Sequence, residues 1–493
     1  MDKLKLTRWL NKMHYLDLSL EEIHQALMNH QVTVEELVKE SLNRAKKLQK
    51  ESNAFVTILE KEALLQAQNY QKTIDADNLF YGIPIAIKDN FSTLNIKSTG
   101  SSNILNNYVP IFESTVTQKL KDAKTINIGK TVLDELAMGG SGCTGNTGVV
   151  KNPLDFNRLI GGSSAGSCAA VAAHVVPFAL GSDTGDSVRK PASFGGIVGF
   201  KPTWGKLSRY GLFSFAPSLD TVAYFTRNVK DSAYAFDLLN GYDNKDFTSC
   251  NRQSEKIYKT IDGNVKGKKI AILKEIYETI SNPIVKEKFD AFFQQCLSIG
   301  LQVDFISIDK KLYNTIYPTY MILSCAEATS NNANLDGINF GNTQSGQSVD
   351  EVVIHTRTKG FSELIKRRFV LGSYILSKEN QEKLFIKAKK LRRLIVEDMN
   401  RIFNEYDAVM LPASKDIAPL FEGEDLDRLS DEYLLLENHM AIGNFGGFPS
   451  ITIPCIQNQG LPIGINLTAA AYHDQELLNI AYALEQMLGG NIK

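Results

Sequence analysis

An α/β fold, with one large, twisted mixed sheet covered by helices on both faces, is what this chain of 493 residues predicts. Two observations predict it. From Tyr81 onward, short β-branched or apolar runs alternate with helical patterns, the signature of strands and helices layered on each other. Before that point the sequence carries helix-start signals only. A hydrophobic fraction of 43% with 22% charged residues is that of an ordinary soluble globular protein, and the length is enough for one continuous core.

The N-terminal helices announce themselves by their caps. Ser19-Leu-Glu-Glu22 and Thr33-Val-Glu-Glu36 both fit the capping box, in which a hydroxyl and a glutamate satisfy orphan N–H groups reciprocally. A third helix is expected over 60–72. Strands are expected at 83–87, 125–129, 175–180, 269–273 and 408–411, with a returning pair near 450–454 and 462–467. Residues 242–266 are polar and aperiodic and read as a surface excursion. Long helices are expected over 283–300 and 362–405, and a closing helix over 474–488. The organisation that follows is an N-terminal helical segment, 1–75, packed on the core, and a single large domain, 76–493, with a helical excursion at about 283–440.

Composition narrows the function. The 54 basic and 55 acidic side chains give a formal charge of −1, which disfavours a chain that grips many phosphates by itself. The row from Lys366-Arg367-Arg368 through Lys387 to Arg393 reads first as a solvated helix face. Six scattered cysteines without a CxxC pair argue against zinc and against a disulfide framework, and suit a reducing compartment. The start lacks an apolar core of secretory type, and the run from Cys168 to Leu180 is too short to span a bilayer. No metal site and no membrane association are expected.

The chemistry concentrates in two Gly/Ser turns, Gly161-Gly-Ser-Ser-Ala-Gly-Ser167 and Gly181-Ser-Asp-Thr-Gly-Asp-Ser-Val-Arg189. They supply hydroxyls and free backbone N–H groups, the materials for a serine nucleophile and an oxyanion hole. Neither turn contains histidine, so another group must handle the proton. Lys88, at the end of the apolar run from Ile83, can do so if burial keeps its amine neutral. The plainer alternative is a lysine that snorkels to the surface or pairs with Asp89. A phosphate-binding loop is a second use for such turns, but the GxxxxGK[ST] pattern is missing.

With Lys88 and Ser163 75 residues apart and Ser163 and Ser187 24 apart, the chain resembles the amidase signature family, which hydrolyses amides through a Ser–cis-Ser–Lys triad. The resemblance implies Ser187 as nucleophile, Ser163 as bridging serine in a cis peptide, Lys88 as terminal base, and Thr184, Gly185 and Asp186 around the oxyanion hole. It runs over nearly the whole chain and implies the family's fold. Segments such as Glu327-Ala-Thr-Ser-Asn331 and Lys366-Arg-Arg-Phe-Val-Leu-Gly372 are most similar to the tRNA-dependent amidotransferase branch. That branch implies a glutaminase subunit with glutamine as substrate and ammonia as product. Two partner subunits are implied, one a tRNA-binding kinase/transamidase and the other a small linking protein. This chain would hold no cofactor; ATP and Mg would belong to the partner, which would also make most tRNA contacts. The location implied is the bacterial cytoplasm, or an organellar matrix in a eukaryote. A glutamine pocket is implied at Tyr320, at Arg368 (with Arg367 as neighbour and alternative) for the carboxylate, and at Glu437 for the ammonium.

The chain departs from the family where the family usually has Gly-Gly-Ser before the nucleophile: here stands Gly185-Asp186-Ser187, and Lys190 replaces the usual glutamine. Asp186 puts a charge beside the oxyanion hole that Arg189 or Lys190 must neutralise, and it would be strained at positive φ. A stand-alone amidase acting on a small amide, and a weakened subunit kept as scaffold, are the competing readings.

Overall fold

The computed structural model describes residues 14–70, 74–252, 254, 256–421 and 436–489. Thirteen strands are formed among them: β1 (Phe55–Ile58), β2 (Pro84–Lys88), β3 (Ile126–Thr131), β4 (Lys151–Asn152), β5 (Asp155–Leu159), β6 (Phe178–Asp183), β7 (Val198–Lys201), β8 (Thr221–Thr226), β9 (Lys269–Leu273), β10 (Gln302–Ile306), β11 (Ala408–Pro412), β12 (Ser450–Asn458) and β13 (Leu461–Thr468). Eleven of them make one sheet in the order β1-β3-β2-β6-β8-β7-β12-β13-β11-β9-β10, and β4 and β5 pair separately. Pairs β2/β3, β2/β6, β9/β10 and β9/β11 are parallel and the rest antiparallel, so the sheet is mixed. Its central strands are buried along their length, as expected of a sheet covered on both faces.

Both capping boxes form, at Ser19 with Glu22 and at Thr33 with Glu36. The third N-terminal helix covers Glu60–Tyr70, and the expected end at Lys72 falls outside the described residues. The N-terminal part is not helical throughout, because Phe55–Ile58 adds an edge strand against β3. Four residues are too few for periodicity to reveal a strand. The strand expected at 175–180 lies three residues later, at Phe178–Asp183, after Pro177. The helix expected over 362–405 divides into Glu363–Leu376 and Lys387–Phe403, with a wide π-type turn at Glu382–Ile386 between them. The stretch 283–440 likewise contains β10 and β11, so the excursion is helical only in part.

The basic row is only partly paired with carboxylates, and one member turns away from solvent. Lys366 pairs with Glu363 at 2.9 Å, Arg393 with Glu397 at 2.7 Å, and Arg392 turns inward to the carbonyl oxygens of Phe445 and Ser218. No helix among the described residues is long and apolar enough to cross a membrane.

Four helices position the site. Helix α1 (Ala165–Ala172) starts inside the first Gly/Ser stretch, whose last three residues form its first turn, and is buried on every side, which its Ala-Gly-Ser-Cys-Ala-Ala-Val-Ala sequence permits. Helix α2 (Arg189–Gly195) starts just after the second turn and packs on β7, β12 and β13. Helices α3 (Ile316–Asn331) and α4 (Glu363–Leu376) pack on each other.

Candidate active site

Lys88 ends β2, an interior strand between β3 and β6, and is fully buried. A lysine there cannot snorkel. Its Nζ lies 2.8 Å from Ser163 Oγ, 2.8 Å from Ser164 Oγ and 2.9 Å from Ser182 Oγ, all within donating distance. Burial lowers its pKa from the lysine range to about 7, while the carboxylates of Asp134, Asp183 and Asp220 pull the other way. The neutral amine is therefore accessible near neutrality. Asp89 is not its partner: that carboxylate takes the backbone N–H and hydroxyl of Thr99 and faces Lys130 at 3.5 Å.

Ser163 follows a cis peptide bond from Gly162 and is fully buried. Its carbonyl accepts the N–H of Asp134 at 3.1 Å. The Asp134 carboxylate in turn takes the N–H groups of Gly142, Cys143 and Thr144 at 3.0–3.1 Å, folding that loop around the serine. The packing leaves no room beside the turn. A Cβ on Gly162 would lie 2.1 Å from Asp134 Oδ2 and 2.8 Å from the nitrogen of Gly142. Gly162→Ala is expected to lower amide hydrolysis at least 100-fold and the melting temperature with it, measurable by ammonia release and a thermal scan. Activity within threefold of wild type would show that the turn can shift without consequence.

Ser187 sits between β6 and α2, almost buried, and its carbonyl accepts the N–H of Ser164 at 3.2 Å, which holds the two turns together. Among the described residues, the backbone N–H groups of Thr184, Gly185, Asp186 and Ser187 donate to no protein group, whereas that of Val188 caps onto Asp183 at 2.9 Å. Idle donors on consecutive residues can hold an anion where they converge. The hydroxyl of Thr184 is spent on Asp220 at 2.7 Å, so only its backbone is available.

Asp186 is accommodated without the strain that positive φ would bring, since neither it nor Gly185 has one. The choice between Arg189 and Lys190 is resolved in favour of Lys190, whose Nζ lies 3.4 Å from Asp186 Oδ2. Arg189 faces Asp183 instead, with Nη2 2.8 Å from Oδ1 and Nε 3.1 Å from Oδ2. Lys190 also bonds Glu437 Oε2 at 2.8 Å, and Glu437 Oε1 accepts the N–H of Lys415 at 2.9 Å. Burial pushes the Glu437 carboxyl up, but Lys190 and the Lys415 N–H carry it below its usual range. Glu437 is thus engaged with a cation of this chain.

Tyr320, on α3, lies so close to the second turn that a Cβ on Gly185 would meet its ring at 2.9 Å. Burial raises its phenol, Arg368 lowers it, and Asp186 raises it further, so the three groups share one region. Arg368, on α4, lies over the Phe215 ring at 5.8 Å, and its Nε and Nη1 find no hydrogen-bond partner among the described residues. Arg367, the alternative, is exposed. Sequence reasoning passed over Ser164, Ser182, Asp134 and Asp220. Ser164 and Ser182 stood in the two turns and could have been read as further ligands of a buried amine; the aspartates had no local signal.

A family model described as amidase matches residues 36–478. A glutamyl-tRNA(Gln) amidotransferase subunit from Listeria innocua is 37% identical over 478 residues, 96% of this chain and 98% of that protein. The subunit of the same name from Microcystis aeruginosa is 40% identical over 475 residues, 95% of this chain and 97% of its own length. Among solved structures, the same glutamyl-tRNA(Gln) amidotransferase subunit from Thermotoga maritima superposes with a TM-score of 0.78 at 34% identity, covering 96% of each chain. A peptide amidase from Stenotrophomonas maltophilia shares the fold, with a TM-score of 0.80 at 22% identity. Likeness that extends from the N-terminal helices to the closing one, in sequence and in fold alike, leaves one conclusion: the chain belongs to the amidase signature family.

Proposed function

We propose that the chain is the glutaminase subunit of a tRNA-dependent amidotransferase. The observation that carries this reading is 37–40% identity over nearly the whole chain to glutamyl-tRNA(Gln) amidotransferase subunits. The buried Lys88 amine, 2.8 Å from the hydroxyl of Ser163 and poised near neutrality, supplies its chemistry. Ser187 Oγ attacks the side-chain amide carbon of glutamine, and its proton passes through Ser163 to the neutral Lys88. The N–H groups of residues 184–187 receive the charge that develops on the carbonyl oxygen. Collapse returns the proton to the departing nitrogen, which leaves as ammonia. Water then hydrolyses the γ-glutamyl ester on Ser187 by the same relay, releasing glutamate.

Arg368 pairs with the substrate carboxylate, Tyr320 lines the pocket wall, and Glu437 serves the ammonium. Lys190 tempers Glu437 and Asp186 together; the three carry a net charge of −1, opposite in sign to Arg368. Two companion subunits complete the enzyme, one binding tRNA and using ATP and Mg to activate Glu-tRNA(Gln) or Asp-tRNA(Asn), the other linking them. The setting is the bacterial cytoplasm.

Asp186 motivates the rival reading of a scaffold subunit without chemistry. Ammonia release from glutamine by the assembled complex separates the two. The expected rate lies orders of magnitude above that of the Ser187→Ala complex, and a rate equal to that background sinks the glutaminase reading.

A further inference from the structure

Glu135 belongs to no part of the proton relay, yet it is 2% exposed, and burial raises its pKa. Its Oε1 accepts the hydroxyl of Ser102 at 2.5 Å and its Oε2 the backbone N–H of Ser362 at 3.1 Å. Ser362 is the N-cap of α4, the helix that carries Arg368. A carboxylate at a helix N-terminus is favoured by the unsatisfied N–H groups there, but here it comes from 227 residues away.

The backbone around Glu135 is strained. Leu136 and Ala137 both adopt left-handed φ, 52° and 63°, which residues with a Cβ avoid. Their N–H groups are held by the carbonyls of Gly100 and Asp134, each at 2.8 Å. The residue before Glu135 is Asp134, whose N–H holds the carbonyl of Ser163. One strained turn therefore touches the serine centre through Asp134 and helix α4 through Glu135.

A second anchor lies further along α4. Gly372 approaches α3 so closely that a Cβ there would fall 2.0 Å from Thr329 Oγ1 and 2.2 Å from the carbonyl oxygen of Cys325. Helix α4 is thus fixed near residue 362 by Glu135 and near residue 372 by α3, the helix of Tyr320. Arg368 lies between the two anchors.

We propose that Glu135 is a positioning residue that sets the reach between the Arg368 guanidinium and the serine centre. The site then selects amides whose carboxylate stands at one distance from the scissile carbon. This rests on the glutaminase reading.

The test uses the full chain assembled with its partner subunits and the isosteric Glu135→Gln. KM for glutamine is expected to rise about tenfold or more, with kcat within about threefold. Labelling of Ser187 by phenylmethylsulfonyl fluoride, which carries no carboxylate, is expected to proceed at the wild-type rate. An unchanged KM, or labelling slowed as much as turnover, overturns the proposal, because a merely structural role would harm both alike. Ser102→Ala removes only one of the two contacts and serves if Glu135→Gln fails to fold; a KM within error of wild type overturns the proposal equally. The two readings fail apart. A wild-type complex no faster than Ser187→Ala fails the glutaminase reading, whereas an active wild type with KM unmoved in Glu135→Gln, or in Ser102→Ala where Glu135→Gln does not fold, fails this one.

Discussion

Lys88→Ala is expected to lower glutamine hydrolysis by about 10⁴-fold, the scale on which members of a nucleophile–base unit are lost. In the proposed relay the amine is the terminal proton acceptor, and among the described residues its hydrogen-bonding shell consists of serine groups, with no second base. Lys88→Arg is the sharper variant. It keeps a cation but cannot give up its proton, so it should be as slow as the alanine variant at every pH. Recovery of either above about one hundredth of the wild-type rate would show that Lys88 is not the base.

The same residue sets the pH dependence. With a pKa of about 7, the competent neutral amine predominates above that value. kcat/KM should rise with pH through about 7, fall about tenfold per unit below it, and level off above about 8. Stability follows the same shift with a different window. The folded pKa lies below the unfolded value of 10.5, so between about 7 and 10.5 the unfolded chain binds the extra proton. Lys88 therefore makes the protein more stable as pH rises across that interval, and below 7 its contribution no longer changes. A kinetic profile that is flat between pH 6 and 8 would contradict the assignment.

Arg189→Leu is expected to cost about 3–5 kcal/mol of stability, the scale for leaving a buried charge without its partner. Arg189 is fully buried, and six acceptors lie within hydrogen-bonding reach of its guanidinium: both oxygens of Asp183, the carbonyls of Gly185 and Met440, Asn444 Oδ1 and Ser450 Oγ. Burial raises the Asp183 carboxyl, but Arg189, the Val188 N–H and Lys201 bring it below its usual range. Its contribution is thus complete above the unfolded value of 3.8 and lost as pH falls through the lower folded one. Removing the guanidinium strands that carboxylate and frees the carbonyl of Gly185 in the second turn, so activity should fall with stability. Urea titration reads the first effect directly; a loss under about 1 kcal/mol would mean that the network relaxes around the gap.

Much of this was legible in the chain. The capping boxes at Ser19 and Thr33 are local, each closed within four residues. Lys88 stood out by its place at the end of an apolar strand, whereas the two serines were picked from their Gly/Ser turns by the resemblance to the amidase signature family. The edge strand at 55–58 was not legible, since its pairing with β3, not its own pattern, makes it a strand. Nor was the partner of Arg189. Two neighbouring cations could equally have met Asp186, and only the placement of Asp183 and Asn444, 261 residues apart, chose between them.

The sequence by itself determined which groups could do chemistry: a lysine closing an apolar strand, two serine turns without histidine, and the local caps and turns that present them. The tertiary structure alone decided what those groups face. It surrounded Lys88 with three hydroxyls in place of Asp89, tied Glu437 to Lys190, and set Arg368 between two anchors on one helix. The physical reason is one of range. Propensity and capping act within a few residues, whereas desolvation and charge pairing depend on segments that meet only when the sheet closes, and they fix whether a lysine is a base or a surface cation.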